Sequence, residues 1–247
     1  MSTPWEAASV HVGTSGWAYP AWKPVFYPEK LAQKKFLQFY ATRLSAVEVN
    51  YSFRRTIGET TLTNWIAETP AGFVFCIKAH QSITHLRRLK NVETALPRFV
   101  DSVRPLAEAG KLGPVLFQLP PDFKADAALL ESFLAQLPRT MASAFEFRHE
   151  SWFSESVYAA LRRYNAALVM AETEEFVVPD VSTAGFSYYR FRRSEYSPQE
   201  RSEIAARLRR QASGGHQVFA FLKHEERPES ALWAEEVLQA AHAEAAA

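Results

Sequence analysis

Ionisable and amide side chains recur in this chain at the ends of short apolar runs. Glu48 and Asn50 close the run 46–50, Lys78 falls late in the run 73–79, Gln118 in 115–119, and Glu146 with Arg148 ends 144–148. Glu172 ends the run 167–172, Arg190 and Arg192 the run 186–192, and Lys223, followed by His224 and Glu225, the run 217–223. Such a set suits acid/base chemistry on an anion. A carboxylate of Glu48 or Glu146 would act as base or water activator, Lys78 would stabilise developing charge, and Arg148, Arg190 and Lys223 would hold the anionic group. The arginines favour a phosphate-bearing substrate, because a planar guanidinium matches phosphate oxygens in pairs. The same charges would also satisfy one another in a purely structural ionic layer. Desolvation, however, leaves buried ion pairs little net stability over apolar packing, so their presence on nearly every run points to function.

Other constellations are weaker. Glu146 and Glu172 would end adjacent strands about 5 Å apart, close to the separation that retaining glycosidases use. Arg148 and Arg190 would hold both carboxylates ionised and deprive that pair of a general acid. Thr14, Ser15 and Gly16 leave the first run between two glycines, so their backbone N–H groups are candidates to assist with an anion, and a tight turn capped by a hydroxyl is the bland reading. Of the aromatic residues near run ends, Trp17 and Tyr19 are the candidates for ligand contact, while Trp22 and Trp152 fit loop packing. His80, His85, His149 and His224 lie near run ends without the spacing of a metal site, His11 begins its run, and no cofactor is assigned. A divalent metal is therefore not favoured. Neither a P-loop nor a G-x-S-x-G elbow is present, and Cys76 between Phe75 and Ile77 reads as a packed thiol.

These residues need a scaffold that brings eight run ends together. Runs rich in Val, Phe and Ile at 10–17, 46–50, 73–79, 115–119, 144–148, 167–172, 186–192 and 217–223 read as strands. Amphipathic stretches at 31–44, 95–109, 127–137, 156–164, 199–211 and 230–241 read as helices, and the connection 173–185 lacks one. Alternating strands and helices in 247 residues predict a single TIM-like (β/α)8 barrel domain over 1–247, with its core at about 10–240. The C-terminal strand ends form the mouth of such a barrel, where active sites lie. Ala46/Glu48/Asn50, Val74/Cys76/Lys78, Leu116/Gln118 and Ala144/Glu146/Arg148 each share one face, small or apolar at depth and charged near the mouth. A doubly wound open sheet is disfavoured by the missing G-x-G-x-x-G after the first run.

Composition narrows the partners. With 28 Lys+Arg against 27 Asp+Glu, the net charge is +1, so no global field recruits nucleic acid or an anionic membrane surface. Recognition must be local, at the mouth, and the expected partner is a small anionic ligand. A noncatalytic protein holding a nucleotide or nucleic-acid end by stacking and basic residues is the alternative. The single cysteine excludes an internal disulfide. With neither a signal-peptide pattern nor an 18-residue apolar span, a cytoplasmic location without membrane insertion is expected. Oligomeric state is left open.

The residues also carry a resemblance. Gly13-Thr14-Ser15-Gly16-Trp17 with Tyr19, Trp22 and Phe26-Tyr27-Pro28 comes first, followed by Val47-Glu48-Val49-Asn50 and by Lys78 with Thr84-His85. Then come Leu116-Phe117-Gln118-Leu119-Pro120-Pro121 and Phe145-Glu146-Phe147-Arg148 with Ser151-Trp152-Phe153. This succession, within 10–240, resembles the YecE-like family. The resemblance implies a TIM-type barrel and leaves reaction, substrate and cofactor open. Phe53-Arg54-Arg55, Arg190-Phe191-Arg192 and Phe221-Leu222-Lys223-His224-Glu225 depart from the commonest pattern of that family, while Glu48, Asn50, Lys78, Gln118, Glu146 and Arg148 follow it.

Overall fold

The computed structural model describes residues 10–172, 177–213, 215–223 and 227–243. All eight apolar runs form strands: β1 (Val10–Thr14), β2 (Ala46–Val49), β3 (Val74–Ile77), β4 (Val115–Gln118), β5 (Ser143–Glu146), β6 (Ala167–Glu172), β7 (Phe186–Phe191) and β8 (Gln217–Leu222). They pair in parallel in the order β3-β2-β1-β8-β7-β6-β5-β4. The seam between β3 and β4 is joined by Phe75 N to Lys111 O and Ala79 N to Leu116 O, both 2.8 Å. The result is a nearly closed TIM-like (β/α)8 barrel.

The predicted helices appear as α1 (Phe36–Arg43), α3 (Ala95–Glu108), α4 (Ala127–Leu134), α5 (Glu155–Arg163), α6 (Pro198–Ala212) and α7 (Glu229–His242). In α3, Leu96, Phe99, Val103 and Leu106 are the buried positions, a one-sided stripe at helical spacing that faces the sheet. Pro198 begins α6, where Ser197 Oγ accepts from Glu200 N and Glu200 Oε2 accepts from Ser197 N, a capping box. A further helix, α2 (Glu59–Glu68), was not expected from the sequence. Its Thr-rich first turns have low helix propensity, and only Leu62 is fully buried, so tertiary packing rather than local pattern forms it. Residues 173–176 of the sixth connection lie outside the described residues, and no helix occurs in 177–185.

Register fixes what fills the barrel. Parallel pairing aligns Gly13 with Ala46 and Phe221, Glu48 with Cys76, Gln118 with Glu146, and Ala171 with Arg190. Paired residues share a face, so these side chains point inward while Val47, Val49, Phe75, Phe117 and Phe145 meet the helices. At the N-terminal end His11 stacks on Phe219, centroids 5.1 Å apart. Higher up, Tyr188 packs on Phe221 at 5.3 Å, and the small residues Ala46, Ala144 and Ala171 leave space for the charged layer above. A side chain at Gly13 would collide with the Ala46 carbonyl and the Tyr40 hydroxyl, which explains glycine in the middle of a strand.

Candidate active site

Arg190 organises the mouth. Tyr188 and Arg190 alternate inward along β7 and Arg192 continues that face just past its end, and Arg190 is fully buried beside the small Ala171. Its Nε and Nη2 donate to Glu48 Oε2 and Oε1 at 2.7 and 2.5 Å, and Nη1 donates to Glu146 Oε2. Glu48 is saturated: Ser15 Oγ, Asn50 Nδ2 and Tyr188 Oη also donate to it, at 3.1, 3.2 and 3.0 Å. Glu146 accepts a second bond, 2.9 Å, from Arg148 Nε. Burial alone would raise both carboxyls; Arg190 and its neighbouring arginines outweigh it, holding Glu48 below the carboxylate range and Glu146 at about 2. Both are therefore ionised at neutral pH.

Lys78 continues the inward face of β3 and donates to Gln118 Oε1 at 2.6 Å. Its ammonium lies 4.3 Å from the centroid of Phe53, whose other neighbour is the His85 ring at 4.8 Å, edge-on. Burial and Arg190 lower Lys78 to about 8, and burial with Lys78 and Arg148 lowers His85. Arg192 is brought down to about 10 by burial and Arg190, and its Nη1 reaches Ser15 Oγ at 3.5 Å. Lys78, Arg148, Arg190 and Arg192 thus oppose two carboxylates within mutual electrostatic reach, a net excess of two positive charges. Among the described residues, no group of three or more His, Cys, Asp or Glu side chains is arranged to hold a metal ion.

Several sequence candidates lie elsewhere. Glu172 pairs in register with Phe191, not with Arg190, and so points out of the barrel toward α6, where Arg207 approaches it at 3.5 Å and also binds Asp180. A Glu146/Glu172 pair across one cleft does not form. Thr14 also faces outward: its hydroxyl donates to Gly16 O and its N–H to Tyr40 Oη, at 2.7 and 2.8 Å. Ser15 N donates to Leu222 O and Gly16 N to Thr14 O, so the N–H groups of all three expected anion donors are already occupied. Only the Ser15 hydroxyl reaches the cluster. Arg190 spends its guanidinium on two carboxylates and presents nothing to a ligand. Trp17 packs edge-on against Trp65 at 4.9 Å, and Tyr19 donates to Ser15 O at 2.8 Å, so both brace the first loop. Trp22 and Trp152 are fully buried, Trp152 stacking on Phe147 at 4.6 Å. Lys223 is exposed at the end of β8, and His224 and Glu225 lie outside the described residues.

Two residues of the mouth carried no assigned site role in the sequence. Arg192 shares the period-two face of Tyr188 and Arg190, a signal present in the sequence. His85 sits on a single π-helical turn, Ser82–Leu86, whose irregular geometry no periodicity announces.

The model for the family described as "Protein of unknown function DUF72" matches residues 11–247. The chain belongs to the DUF72 family. Among its relatives, the UPF0759 protein YunF of Bacillus subtilis (strain 168) is 33% identical over 156 residues, which cover 60% of this chain and 54% of that protein. This DUF72 chain thus spans about half the length of the curated relative it matches. The crystal structure of a DUF72 family protein from Thermotoga maritima MSB8 superposes with a TM-score of 0.81 at 25% identity, covering 93% of this chain and 98% of that one. One from Enterococcus faecalis V583 gives 0.73 at 19% identity, covering 93% and 95%. SacUVDE shares the fold more distantly, with a TM-score of 0.51 at 11% identity over 93% of this chain and 97% of that one. In this DUF72 chain no helix among the described residues is long and apolar enough to cross a membrane.

Proposed function

We propose that the barrel mouth of this DUF72 protein is the active site of an enzyme that cleaves a phosphate ester. On the motif succession, we place the chain in the YecE-like group within DUF72. The observation that carries the functional reading is the excess of cations over carboxylates in the mouth, combined with the way those carboxylates are spent. Glu48 and Glu146 are tied to Arg190, so neither serves as base; they position Arg190, Arg148, Ser15 and Asn50. Arg148, whose side chain is 41% exposed, keeps both terminal nitrogens available for phosphoryl oxygens, and Arg192 adds charge within its electrostatic reach.

His85 and Lys78 have the proton affinities the reaction requires. With its pKa lowered, His85 is neutral at pH 7 and accepts the proton of an attacking water. The water oxygen bonds to phosphorus, the bond to the leaving oxygen breaks, and that oxygen takes a proton from the Lys78 ammonium. At about 8, Lys78 is protonated at neutral pH yet a far better donor than an ordinary lysine. Gln118 holds the ammonium in place, and the Arg148 and Arg192 guanidiniums stabilise the charge on the transferred group.

A thermal-shift panel of phosphorylated metabolites, nucleotides and neutral sugars tests the reading. Saturation at 100 times Kd adds about 2.7 kcal/mol, and each kcal/mol moves a domain of this size by roughly 2–4 °C. Shifts confined to phosphorylated ligands, lost in Arg148→Ala, are expected, with phosphate release from the same ligands abolished in Lys78→Ala. Stabilisation by neutral sugars alone, or by no small anion, overturns the reading. Binding without release under any condition leaves a ligand-holding protein and removes the catalytic roles.

A further inference from the structure

A second cationic site adjoins the mouth. A cavity of about 460 Å³ opens between the turn that follows β2, the π-helical turn that follows β3, and the first half of α3. Arg55, Arg87 and Arg98 enter its lining from these three segments, and among the described residues no carboxylate lines it. Among the described residues, none of the three arginines belongs to an ion pair, although most arginines of this chain that take part in side-chain contacts have found a Glu or Asp. Three like charges around one cavity repel each other unless something anionic lies between them. Ser82, Thr94 and Ser102 add hydroxyls to the wall, while Ile57, Phe99 and Val103 form an apolar floor. Backbone conformation also supports a built site. Arg88, Leu89 and Asn91 adopt left-handed φ values of 47°, 66° and 50° directly after Arg87, whose Nη1 donates to Asn91 O at 3.0 Å. Such conformations are costly in non-glycine residues and concentrate at ligand clamps.

The cavity and the mouth share a partition. Ser52 lines the cavity, and its hydroxyl donates to the Lys78 carbonyl at 2.7 Å; the next residue, Phe53, carries the ring over the Lys78 ammonium. His80 and Ser82 line the cavity from the same connection that presents Lys78 and His85 to the mouth. Tyr51, 55% exposed, begins the turn between them. We propose that the Arg55–Arg87–Arg98 cavity binds a second phosphate group of the substrate whose scissile phosphate occupies the mouth. The substrate is then an oligo-anion with at least two phosphates, an inference that rests on the phosphate reading of the mouth.

Isothermal titration with long-chain inorganic polyphosphate, on the full chain, separates the two claims. The variants are Arg55→Gln/Arg98→Gln in the cavity, Arg148→Gln in the mouth, and Arg209→Gln/Arg210→Gln in the last turn of α6 as a control for unspecific charge loss. All five side chains except Arg148 lie outside the buried cluster, and circular dichroism verifies folding. One polyphosphate chain occupying both sites predicts at least a tenfold weakening in the cavity and mouth variants and less than twofold in the control. Wild-type affinity in the cavity variant, with loss in the mouth variant, overturns the second site and leaves the mouth reading standing. Loss in the cavity variant alone overturns the mouth reading and with it the bridging substrate. Equal weakening in all three variants identifies an unspecific polyelectrolyte contact and overturns both. A free phosphate ion as the cavity's occupant is distinguished by inorganic phosphate: two independent equivalents, each removed by one variant, with polyphosphate binding no tighter than phosphate, overturn the bridging claim.

Discussion

The guanidinium of Arg190 lies fully buried against the carboxylate of Glu48, joined to it by two parallel hydrogen bonds of 2.7 and 2.5 Å. This fork–fork contact is the geometry in which an arginine and a carboxylate bind best, and Glu146 completes a carboxylate–guanidinium–carboxylate bridge from β2 through β7 to β5. Buried pairs seldom exceed apolar packing in stability. What the bridge supplies here is position: it holds both carboxylates still, and they in turn orient Arg148, Ser15 and Asn50 at the mouth.

Removing the guanidinium leaves two facing carboxylates in a dry layer. Arg190→Met is expected to destabilise the fold by about 3–5 kcal/mol, the usual cost of breaking a buried pair from one side, measured by urea unfolding at pH 7. A change below about 1 kcal/mol would show that the layer is hydrated and flexible. Partial recovery on lowering the pH to 5 is expected in the variant, because one carboxylate then takes up a proton.

The same bridge sets the acid limit of the wild type. Glu146 titrates at about 2 in the folded protein against an ordinary 4.5, so its folded form binds fewer protons than the unfolded chain in that interval. Its contribution, about 3 kcal/mol at roughly 1.4 kcal/mol per unit, is fully present above pH 4.5 and is lost as pH falls toward 2. Glu48 shifts in the same direction. Urea midpoints between pH 6 and 2 should fall steeply below about 4.5, and Glu146→Gln should flatten part of that slope.

Tyr40 ties the loop after β1 to the sheet from outside the barrel. Its hydroxyl accepts from Thr14 N at 2.8 Å and donates to Ala46 O at 2.9 Å, in a site with no exposure. Tyr40→Phe strands a buried N–H and a carbonyl, for an expected loss of about 1–3 kcal/mol. Faster amide exchange at Thr14 and Ser15 in the variant would confirm that the loop, not the helix, is loosened; unchanged exchange would contradict it.

Strand identity was legible because each run is short and apolar and carries Val, Phe or Ile, and alternation placed Glu48, Lys78, Gln118 and Glu146 on one face. Two kinds of information were not legible. Whether a turn's N–H groups are free depends on partners distant in sequence: Tyr40 and Leu222 occupy those of Thr14 and Ser15. Whether an arginine serves ligand or scaffold depends on which carboxylates surround it, and that separates buried Arg190 from half-exposed Arg148. Glu172 failed for a simpler reason: a strand's last residue lies on either face according to register, and β6 ends one residue out of phase with β5.

Glu172 therefore provides a control. Its contact with Arg207 is 3.5 Å long and partly exposed, so Glu172→Gln should cost about 0–1 kcal/mol. Ligand-induced thermal shifts should equal those of the wild type. A lost shift would place Glu172 in the site and reopen the two-carboxylate reading.

Lys78 is expected to reverse the usual sign of a mutation. Its folded value of about 8 against an ordinary 10.5 means that the folded protein disfavours the ammonium, chiefly because it is buried. Below pH 8 this group weakens the fold, and between about 8 and 10.5 the folded protein sheds its proton before the unfolded chain does, so stability rises through that window. Lys78→Met keeps the stem and the contact with Phe53 while removing the charge. The variant should gain about 1–3 kcal/mol at pH 7, and its advantage should shrink steadily toward pH 10.5. Active-site residues commonly carry such a trade, with stability surrendered for reactivity. Urea unfolding of both proteins at pH 7, 8.5 and 10 measures it directly. A variant less stable than the wild type at every pH would mean that the hydrogen bond to Gln118 outweighs the burial of charge, and Lys78 would then be a structural cation rather than a proton donor.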